Sequence, residues 1–283
     1  MKLTVGYLAT PSGDDGVALA AVLASALDAS IDIVMVVRLD EPLMEGSGPY
    51  RKVLDAKAEQ WLSAARALVP DGLDVTTRVA YHESFAQGLI EVAAAEDSDM
   101  IVVGGASDGL LNRHAVGTVA GQLLHASPMP LALAPRGYRM RKDLSITGLT
   151  VAVPTRAGAA DPSSFAITIA SAAHLPLRLV SLVSLENTEA DGRALDTRKR
   201  YVAAAGANLD DAMRKLPGID GLESVVADGS SLDEAVSSLQ WRDGDVLILG
   251  SSRLAAPQRV FLGSSAAKIL RATPAPVIVV PHD

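Results

Sequence analysis

Two glycine-containing loops are the part of this sequence whose residue types and spacing best suit the binding of a phosphate. In the first half, Gly104-Gly105-Ala106-Ser107 is followed, after nine intervening residues, by Gly117-Thr118. The second half repeats this spacing with Gly250-Ser251-Ser252-Arg253 and Gly263-Ser264-Ser265. The last glycine of each loop precedes a predicted helix, whose N-terminus offers free amides and the positive end of the helix dipole. The pattern therefore predicts two anion sites, with Thr118, Ser264 and Ser265 as additional hydroxyl donors.

Helix capping is an alternative explanation of the same residues. Serine and threonine are common N-cap residues, and glycine commonly ends a strand. A single copy would favour capping over ligand binding, but the repetition of the spacing brings the two interpretations level. Both stay open at this point.

Other catalytic and metal-binding patterns are weaker. Gly105-Ala-Ser107-Asp-Gly109 matches a hydrolase nucleophile elbow with His282 downstream, but the second half has no equivalent and a loop is predicted after the serine. There is no cysteine, and no P-loop is present. The acidic pairs Asp14-Asp15 and Asp210-Asp211 are typical of solvated faces or helix starts. The five histidines show no metal-ligand spacing and stand at positions 82, 114, 125, 174 and 282. Nothing in these patterns predicts an enzyme.

Charge and hydropathy restrict the partners. The net charge of −8 and the pI of about 5.1 argue against a nucleic-acid partner, which requires clustered lysine and arginine. The densest basic run, Arg136 to Lys142, is predicted to be a solvated linker rather than a binding patch. No apolar run approaches the roughly 20 residues of a membrane helix, and the first residues do not resemble a signal peptide. We therefore expect a cytoplasmic protein with no membrane partner.

The elements that must position the loops come from an internal repeat. At a constant offset of 146 residues, glycines, prolines and aliphatic residues recur without a gap, as Val5 and Val151 or Gly117 and Gly263 do. Two copies are too few for a solenoid, so the chain is predicted to be a duplicated globular domain.

Each copy has the hydrophobic pattern of alternating strands and helices. The predicted elements of the first copy are 3–8, 16–29, 31–37, 49–69, 74–79, 84–96, 100–103, a helix that follows Gly117 and stops before Pro128, and 131–134. Those of the second copy are 150–153, 162–173, 177–183, 197–216, 222–227, 231–240, 246–249, 264–272 and 277–280. This alternation predicts an α/β fold with a parallel sheet in each copy, and ligands bind such sheets beyond the carboxyl ends of the strands. The loops to examine follow Leu8, Val37, Val103, Val153, Val183 and Leu249.

The combination of strand, spaced glycine loop, helix and Pro-x-Pro strand resembles the universal stress protein family. The runs Asp99–Gly104 and Asp245–Gly250 are similar to its fourth strand, and Ala126–Leu131 and Ala272–Val277 are similar to the end of its last helix and to its last strand. The resemblance covers nearly the whole chain, with one family domain at 1–138 and a second at 146–283. It implies two tandem flavodoxin-like domains, each a doubly wound, five-stranded, mostly parallel sheet, that pair through their last strands as a pseudo-dimer.

The resemblance also implies that ATP or AMP could be a ligand, because some family members bind ATP with the phosphates on this loop and the base near the end of strand two. The implied nucleotide-binding residues are Val37, Gly104, Gly117, Thr118, Val119, Val183, Gly250, Gly263, Ser264 and Ser265. Two departures weaken this implication. Ser107 and Arg253 replace the second motif glycine, and the aspartate at the end of strand one is absent. The positions available for that aspartate are Leu8 or Thr10 and Pro154 or Arg156, and Asp14, Asp15 and Asp161 could substitute only if the loop folds back.

We therefore expect a tandem stress-response protein whose clefts bind an adenine nucleotide as a regulatory signal, without rapid turnover. The alternative is a nucleotide-free interaction protein, paired through Leu131–Ala134 and Val277–Val280 and able to form a further homodimer. A serine esterase using Ser107 is the distant third.

Overall fold

In a computed structural model of the chain, the structure describes residues 1–38, 48–105, 113–114, 116–142, 144–154, 161–184, 194–214, 216, 221–252, 255 and 258–282. The chain divides into two compact units, Met1–Leu144 and Ser145–Asp283. Strands alternate with helices in both, as predicted.

The first unit contains five strands and four helices in the described residues, followed by a single 3-10 turn at Tyr138–Met140. In chain order they are β1 (Lys2–Gly6), α1 (Pro11–Leu27), β2 (Ser30–Val37), α2 (Gly48–Arg66), β3 (Val75–Tyr81), α3 (Phe85–Ala95), β4 (Met100–Gly104), α4 (Thr118–Ala126) and β5 (Leu131–Ala134). The strands are parallel in the order β3-β2-β1-β4-β5.

The second unit repeats this arrangement. Its elements are β6 (Gly148–Ala152), α5 (Ser163–Ala173), β7 (Leu177–Ser184), α6 (Ala194–Arg214), β8 (Glu223–Gly229), α7 (Leu232–Ser238), β9 (Asp245–Gly250), α8 (Ser264–Ala272) and β10 (Val277–Val280). The parallel order is β8-β7-β6-β9-β10. The predicted α/β fold, flavodoxin-like in both halves, is confirmed.

The direction of strand addition reverses in each unit, between β1 and β4 and between β6 and β9. Because crossovers between parallel strands are right-handed, this reversal places α1 and α2 on one face of the first sheet and α3 and α4 on the other. The central strands are covered on both faces, so Val5, Ile33 and Val102 are fully buried. The carboxyl ends of β1 and β4 form the switch point at which such sheets bind ligands.

The start of α1 differs from the prediction. The helix begins at Pro11 rather than Gly16, and β1 ends at Gly6 rather than Leu8. The Thr10 side chain caps the helix by accepting a hydrogen bond from the Gly13 amide at 3.3 Å, and Pro11 occupies the first helical position, where its missing N–H costs nothing. All other element bounds lie within three residues of those predicted.

The duplication is preserved in individual hydrogen bonds. The Gly105 amide donates to the Ala134 carbonyl at 3.0 Å, and the Ser251 amide, 146 residues later, donates to the Val280 carbonyl at 2.9 Å. The first helix of both units ends in a left-handed cap residue, Asp28 or His174, which also differ by 146. The repeat therefore extends from sequence spacing to backbone geometry.

One equivalent pair of buried residues has opposite charges. Asp32 on β2 is fully buried and accepts hydrogen bonds from Thr76 at 3.0 Å and from Arg78 at 3.1 Å. The residue 146 positions later is Arg178 on β7, which is 7% exposed. Each unit therefore has a buried ion of its own sign near the amino end of its second strand.

Arg178 has a complete set of partners. Its guanidinium donates to the Thr150 hydroxyl at 2.8 Å, to the Asp245 carboxylate at 2.9 Å and to the Gln240 carbonyl at 2.9 Å. Asp245, 3% exposed, also accepts from the Arg242 amide at 2.9 Å. These contacts compensate the desolvation of both charges.

Candidate functional site

A cleft of about 240 Å³ opens at the switch point of the first unit. Its floor consists of apolar side chains from β2, α3 and β4, and its rim consists of the start of α1, the end of β4 and the start of α4. The lining residues are Gly6, Tyr7, Leu8, Thr10, Ser12, Gly13, Val34, Val36, Phe85, Leu89, Val103, Gly104, Gly105, Gly117, Thr118, Val119 and Ala120. Every one of these side chains is uncharged, so the cleft suits a ligand with a sizeable apolar part.

The N-terminus of α4 forms one wall of this cleft. Gly117 is the N-cap residue, and since glycine has no side chain, no hydroxyl caps the helix. In the first hydrogen bond of the helix, the Gly121 amide donates to the Gly117 carbonyl at 2.8 Å. Thr118, Val119 and Ala120 precede that amide, so their N–H groups have no acceptor within the helix. Of the two interpretations of this loop, capping by Thr118 is wrong, since Thr118 is the first helical residue.

Gly104 has a role that the motif did not predict. A Cβ atom at this position would overlap the Ser12 carbonyl oxygen, because α1 crosses the end of β4 in direct contact. The Ser12 hydroxyl donates to the Gly105 carbonyl, and a Cβ atom at Gly16 would lie 2.9 Å from the Gly104 amide nitrogen. Gly104 at the end of β4 and Gly16 in α1 thus allow the two elements to pack closely, with Ser12 in contact with the end of β4.

The predicted residues of strand two lie at the margin of the cleft. Val36 lines the cleft, whereas Val37 is the next residue along β2, and its side chain leaves the opposite face of the strand. The loop after Val37 and the residues Ala106 to Asn112, which include Ser107, lie outside the described part of the chain.

Two of the three acidic residues considered as substitutes for the missing strand-one aspartate do not lie in a loop. Asp14 and Asp15 belong to the first turns of α1, so that prediction is wrong. The Tyr7 hydroxyl, on the cleft rim, donates to the Asp14 carboxylate at 3.4 Å. Burial of the ring, followed by the negative charge of Asp14, raises the pKa of Tyr7, which keeps the phenol protonated at neutral pH.

The Asp15 carboxylate contacts the segment that follows β5. It accepts hydrogen bonds from the Gly137 amide at 2.7 Å and from the Arg139 amide at 3.1 Å. Tyr138 between them is 3% exposed, and its burial raises its pKa to about 12. The prediction that Arg136 to Lys142 form a solvated linker is therefore wrong for the middle of that run, because it docks onto α1.

The second unit places the corresponding residues in a different environment. Gly263 is the N-cap of α8, with Ser264 and Ser265 exposed in the first turn, so capping by these serines is also wrong. Gly250 ends β9, and Val183 is buried near the end of β7. Arg156 and Arg253 lie outside the described residues. Asp161 precedes Pro162, the N-cap residue of α5, and its carboxylate accepts from the Ser163 amide at 3.0 Å.

The loop of the second unit bonds to its own strand. The buried Ser251 hydroxyl donates to the Val280 carbonyl at 2.7 Å and accepts from the Phe261 amide at 3.4 Å. The Ser252 amide in turn donates to the Phe261 carbonyl at 2.9 Å, and Val260 is fully buried. In this unit the segment before Gly263 is pinned to the end of β9.

Several of the residues that the sequence singles out make structural contacts. Across the described ranges, no group of three or more histidine, aspartate and glutamate side chains is placed to hold a metal ion. Asp211 pairs with Arg214 on the exposed face of α6. The His282 backbone bonds to Arg259 and Gln258 beyond β10, and with Ser107 undescribed the esterase hypothesis gains no support.

Among the described helices, none has the length and apolar character needed to cross a membrane.

The fold and the cleft define a class: tandem flavodoxin-like α/β proteins with an apolar cleft at the switch point of the first sheet. The sequence matches the universal stress protein family over residues 1–135 and 150–281. It is 30% identical, over an alignment of 298 residues, to universal stress protein Rv2319c of Mycobacterium tuberculosis, and equally to Mb2346c of Mycobacterium bovis. These alignments cover 99% of this chain and 100% of each relative. The chain belongs to the universal stress protein family.

Solved structures agree with this fold. A universal stress protein of Archaeoglobus fulgidus superposes with a TM-score of 0.62 at 14% identity, covering 100% of this chain and 98% of that one. A Pseudomonas aeruginosa protein described as functionally unknown gives a TM-score of 0.61 at 18% identity, covering 100% and 92%. At these identities the likeness establishes the fold alone.

Proposed function

We propose that this chain is a cytoplasmic regulatory stress protein that binds one adenine nucleotide, in the cleft of its first unit. The observation that supports this most is the glycine-capped start of α4, which borders an apolar cleft at the switch point of the sheet. The purine ring would lie on the floor formed by Val34, Val36 and Leu89. A phosphate would lie against the amides that follow Gly117. Of the residues that the family resemblance implies, Gly117, Thr118 and Val119 are proposed to hold the phosphate and Gly104 to line the cleft beside α1. Val37 is proposed to contact the base through its backbone, since its side chain leaves the opposite face of β2.

The lining of the cleft favours binding without turnover. The described residues that line it include the hydroxyls of Tyr7, Thr10, Ser12 and Thr118 but no histidine, carboxylate, lysine or arginine. General acid–base catalysis requires a positioned group whose pKa lies near the working pH. The high pKa of Tyr7 does not meet this requirement. A bound nucleotide would therefore act as a signal.

Titration of the purified full-length chain with AMP and ATP, followed by calorimetry, tests the proposal. We expect one site per chain and an affinity for ATP no higher than that for AMP, since no cationic side chain among the described lining residues compensates the additional phosphate charges. The absence of both binding heat and a thermal shift at millimolar nucleotide would contradict nucleotide binding. Two equivalent sites would contradict its restriction to the first unit.

The duplication supplies a matched control for this titration. Gly117→Asp places a carboxylate in front of the α4 amides and is expected to abolish binding. Gly263→Asp makes the same change 146 residues later and should leave the affinity unchanged. Equal effects of the two substitutions, or an unchanged affinity in Gly117→Asp, would remove the α4 N-terminus from the site.

The second unit favours the other hypothesis, a nucleotide-free interaction domain. The contacts of Ser251 with Val280 and Phe261 use the loop to hold the end of the sheet. The residues Val183, Gly250, Gly263, Ser264 and Ser265 would then preserve the fold. We propose that this unit pairs with the first through Val277–Val280 and Leu131–Ala134. We also propose that the chain forms a homodimer through further surfaces, which sedimentation tests.

Pairing of these two strands can be tested by disulfide trapping, because the chain contains no cysteine. One cysteine in Leu131–Ala134 and one in Val277–Val280 should form an intrachain disulfide on mild oxidation. A control pair with the first cysteine moved to Val75–Tyr81, at the far end of the first sheet, should not. Trapping in neither pair, or in both, would contradict the proposed pairing.

A further inference from the structure

The segment after β5 is attached to the start of α1 through one arginine. The Arg139 guanidinium donates to the Asp15 carboxylate at 2.9 Å and to the Pro11 carbonyl at 2.7 Å, and it lies 3.9 Å from the Asp14 carboxylate. Arg139 therefore contacts three of the first five residues of α1.

The attachment is built around a buried charge. Asp15 is 1% exposed, and its carboxylate accepts two backbone N–H groups, from Gly137 and Arg139, in addition to the guanidinium. An ionised carboxylate that is buried without such partners is strongly unfavourable. The 137–139 segment therefore cannot move away while Asp15 stays buried, and the two must change position together.

The same turns of α1 form the rim of the cleft. Thr10, Ser12 and Gly13 line the cleft, and the Pro11 carbonyl that Arg139 holds lies between the first two of them. Asp14, beside Arg139, accepts the hydrogen bond of the rim residue Tyr7. A displacement of Arg139 would therefore release the wall of the cleft that α1 provides.

We propose that Arg139 is a positioning residue for this cleft, and that ligand binding and docking of residues 137–139 are coupled through the first turns of α1. This inference rests on the proposed function, because it takes the cleft to be a ligand site. Coupling of this kind is reciprocal. A ligand that requires the docked rim tightens the docking of 137–139, and loss of docking lowers the affinity for the ligand by the same factor.

The coupling predicts two measurable effects of Arg139→Ala in the full-length chain. Without ligand, amide hydrogen exchange in the first turns of α1 should be faster, by about tenfold. With AMP as the probe, affinity should fall about five- to tenfold, and Arg139→Lys should restore part of it. Saturating AMP should slow exchange at Gly137 and Arg139 in the wild-type chain.

Arg242→Ala is the matched control, since it removes an arginine that pairs with Glu223 in the second unit, far along the chain from the cleft. It should change neither exchange in α1 nor affinity. Unchanged α1 exchange in Arg139→Ala would overturn the positioning role even if no nucleotide binds. Faster exchange with unchanged AMP affinity would overturn the coupling. A wild-type chain that binds no nucleotide would refute the proposed function and with it the coupling, whereas the exchange result would still decide the positioning role.

Discussion

Replacing Arg178 by alanine is expected to lower the free energy of unfolding of the second unit by about 3–5 kcal/mol, which is the typical cost of removing one partner of a buried ion pair. The substitution leaves the Asp245 carboxylate buried with only the Arg242 amide, and the Thr150 hydroxyl and Gln240 carbonyl each lose a donor. Urea-induced unfolding, followed through tryptophan fluorescence, measures the change.

The reporter for this measurement is already in place. The chain has two tryptophans, and the Trp241 ring centroid lies 6.0 Å from the Arg178 guanidinium carbon. Trp61 is 40% exposed on α2, so a Trp61→Phe background leaves Trp241 as the single reporter of the second unit. Arg242→Ala removes an exposed pair with Glu223 and should cost under about 1 kcal/mol. Equal losses in the two variants would contradict a special role for Arg178.

Replacing Gly104 by alanine is expected to destabilise the first unit by about 1–3 kcal/mol or more, and to abolish ligand binding in its cleft. The added Cβ atom would overlap the Ser12 carbonyl oxygen, which belongs to the backbone and cannot rotate away. The start of α1 would have to move, and with it the rim residues Ser12 and Gly13. Urea unfolding followed by far-UV circular dichroism, together with AMP titration, measures both effects.

Two other glycines provide controls for this substitution. A Cβ atom at Gly121 on α4 would make ordinary contact with Val116 at 3.5 Å, and one at Gly206 on α6 would meet nothing within 4 Å. Gly206→Ala should stabilise the chain by up to about 1 kcal/mol, since alanine is the better helix former. Binding of AMP that survives in Gly104→Ala would show that the contact between Ser12 and Gly104 is unrelated to the site.

The fold could be predicted because its determinants are local and duplicated. The periodicity of apolar residues, together with the same prolines and glycines 146 residues apart, places eighteen strands and helices in order. The start of α1 was missed, although Thr10-Pro11 carries the signal of an N-cap followed by proline at the first helical position. The nearby glycines and aspartates were interpreted as a loop. Glycine fits within this helix because a Cβ atom at Gly13 would overlap the Leu8 carbonyl oxygen, and one at Gly16 would crowd the backbone at the end of β4.

The site could be predicted only in outline. The glycine spacing locates the cleft, because strand ends and helix starts meet at the switch point of any sheet of this order. Sequence spacing does not distinguish a glycine that makes room for a phosphate from one that makes room for a packed helix. Gly104 makes room for α1. The docking of Arg139 onto Asp15 was equally invisible, since it joins residues 124 positions apart. A charged residue in each apolar second strand, Asp32 and Arg178, was the one available sign of the buried ions.

The opposite charges of Asp32 and Arg178 make the two halves of this gene non-interchangeable. After a duplication, recombination between the copies tends to exchange segments that align, and β2 aligns with β7 without a gap. Such an exchange would place an aspartate beside the buried Asp245, and an arginine at the buried position 32 beside the exposed Arg78, which makes two like-charged pairs. Each pair would cost stability until the partners on neighbouring strands also changed. The inverted charge thus opposes the exchange of β2 and β7 segments between the two copies. Each copy can therefore diverge in sequence separately from the other.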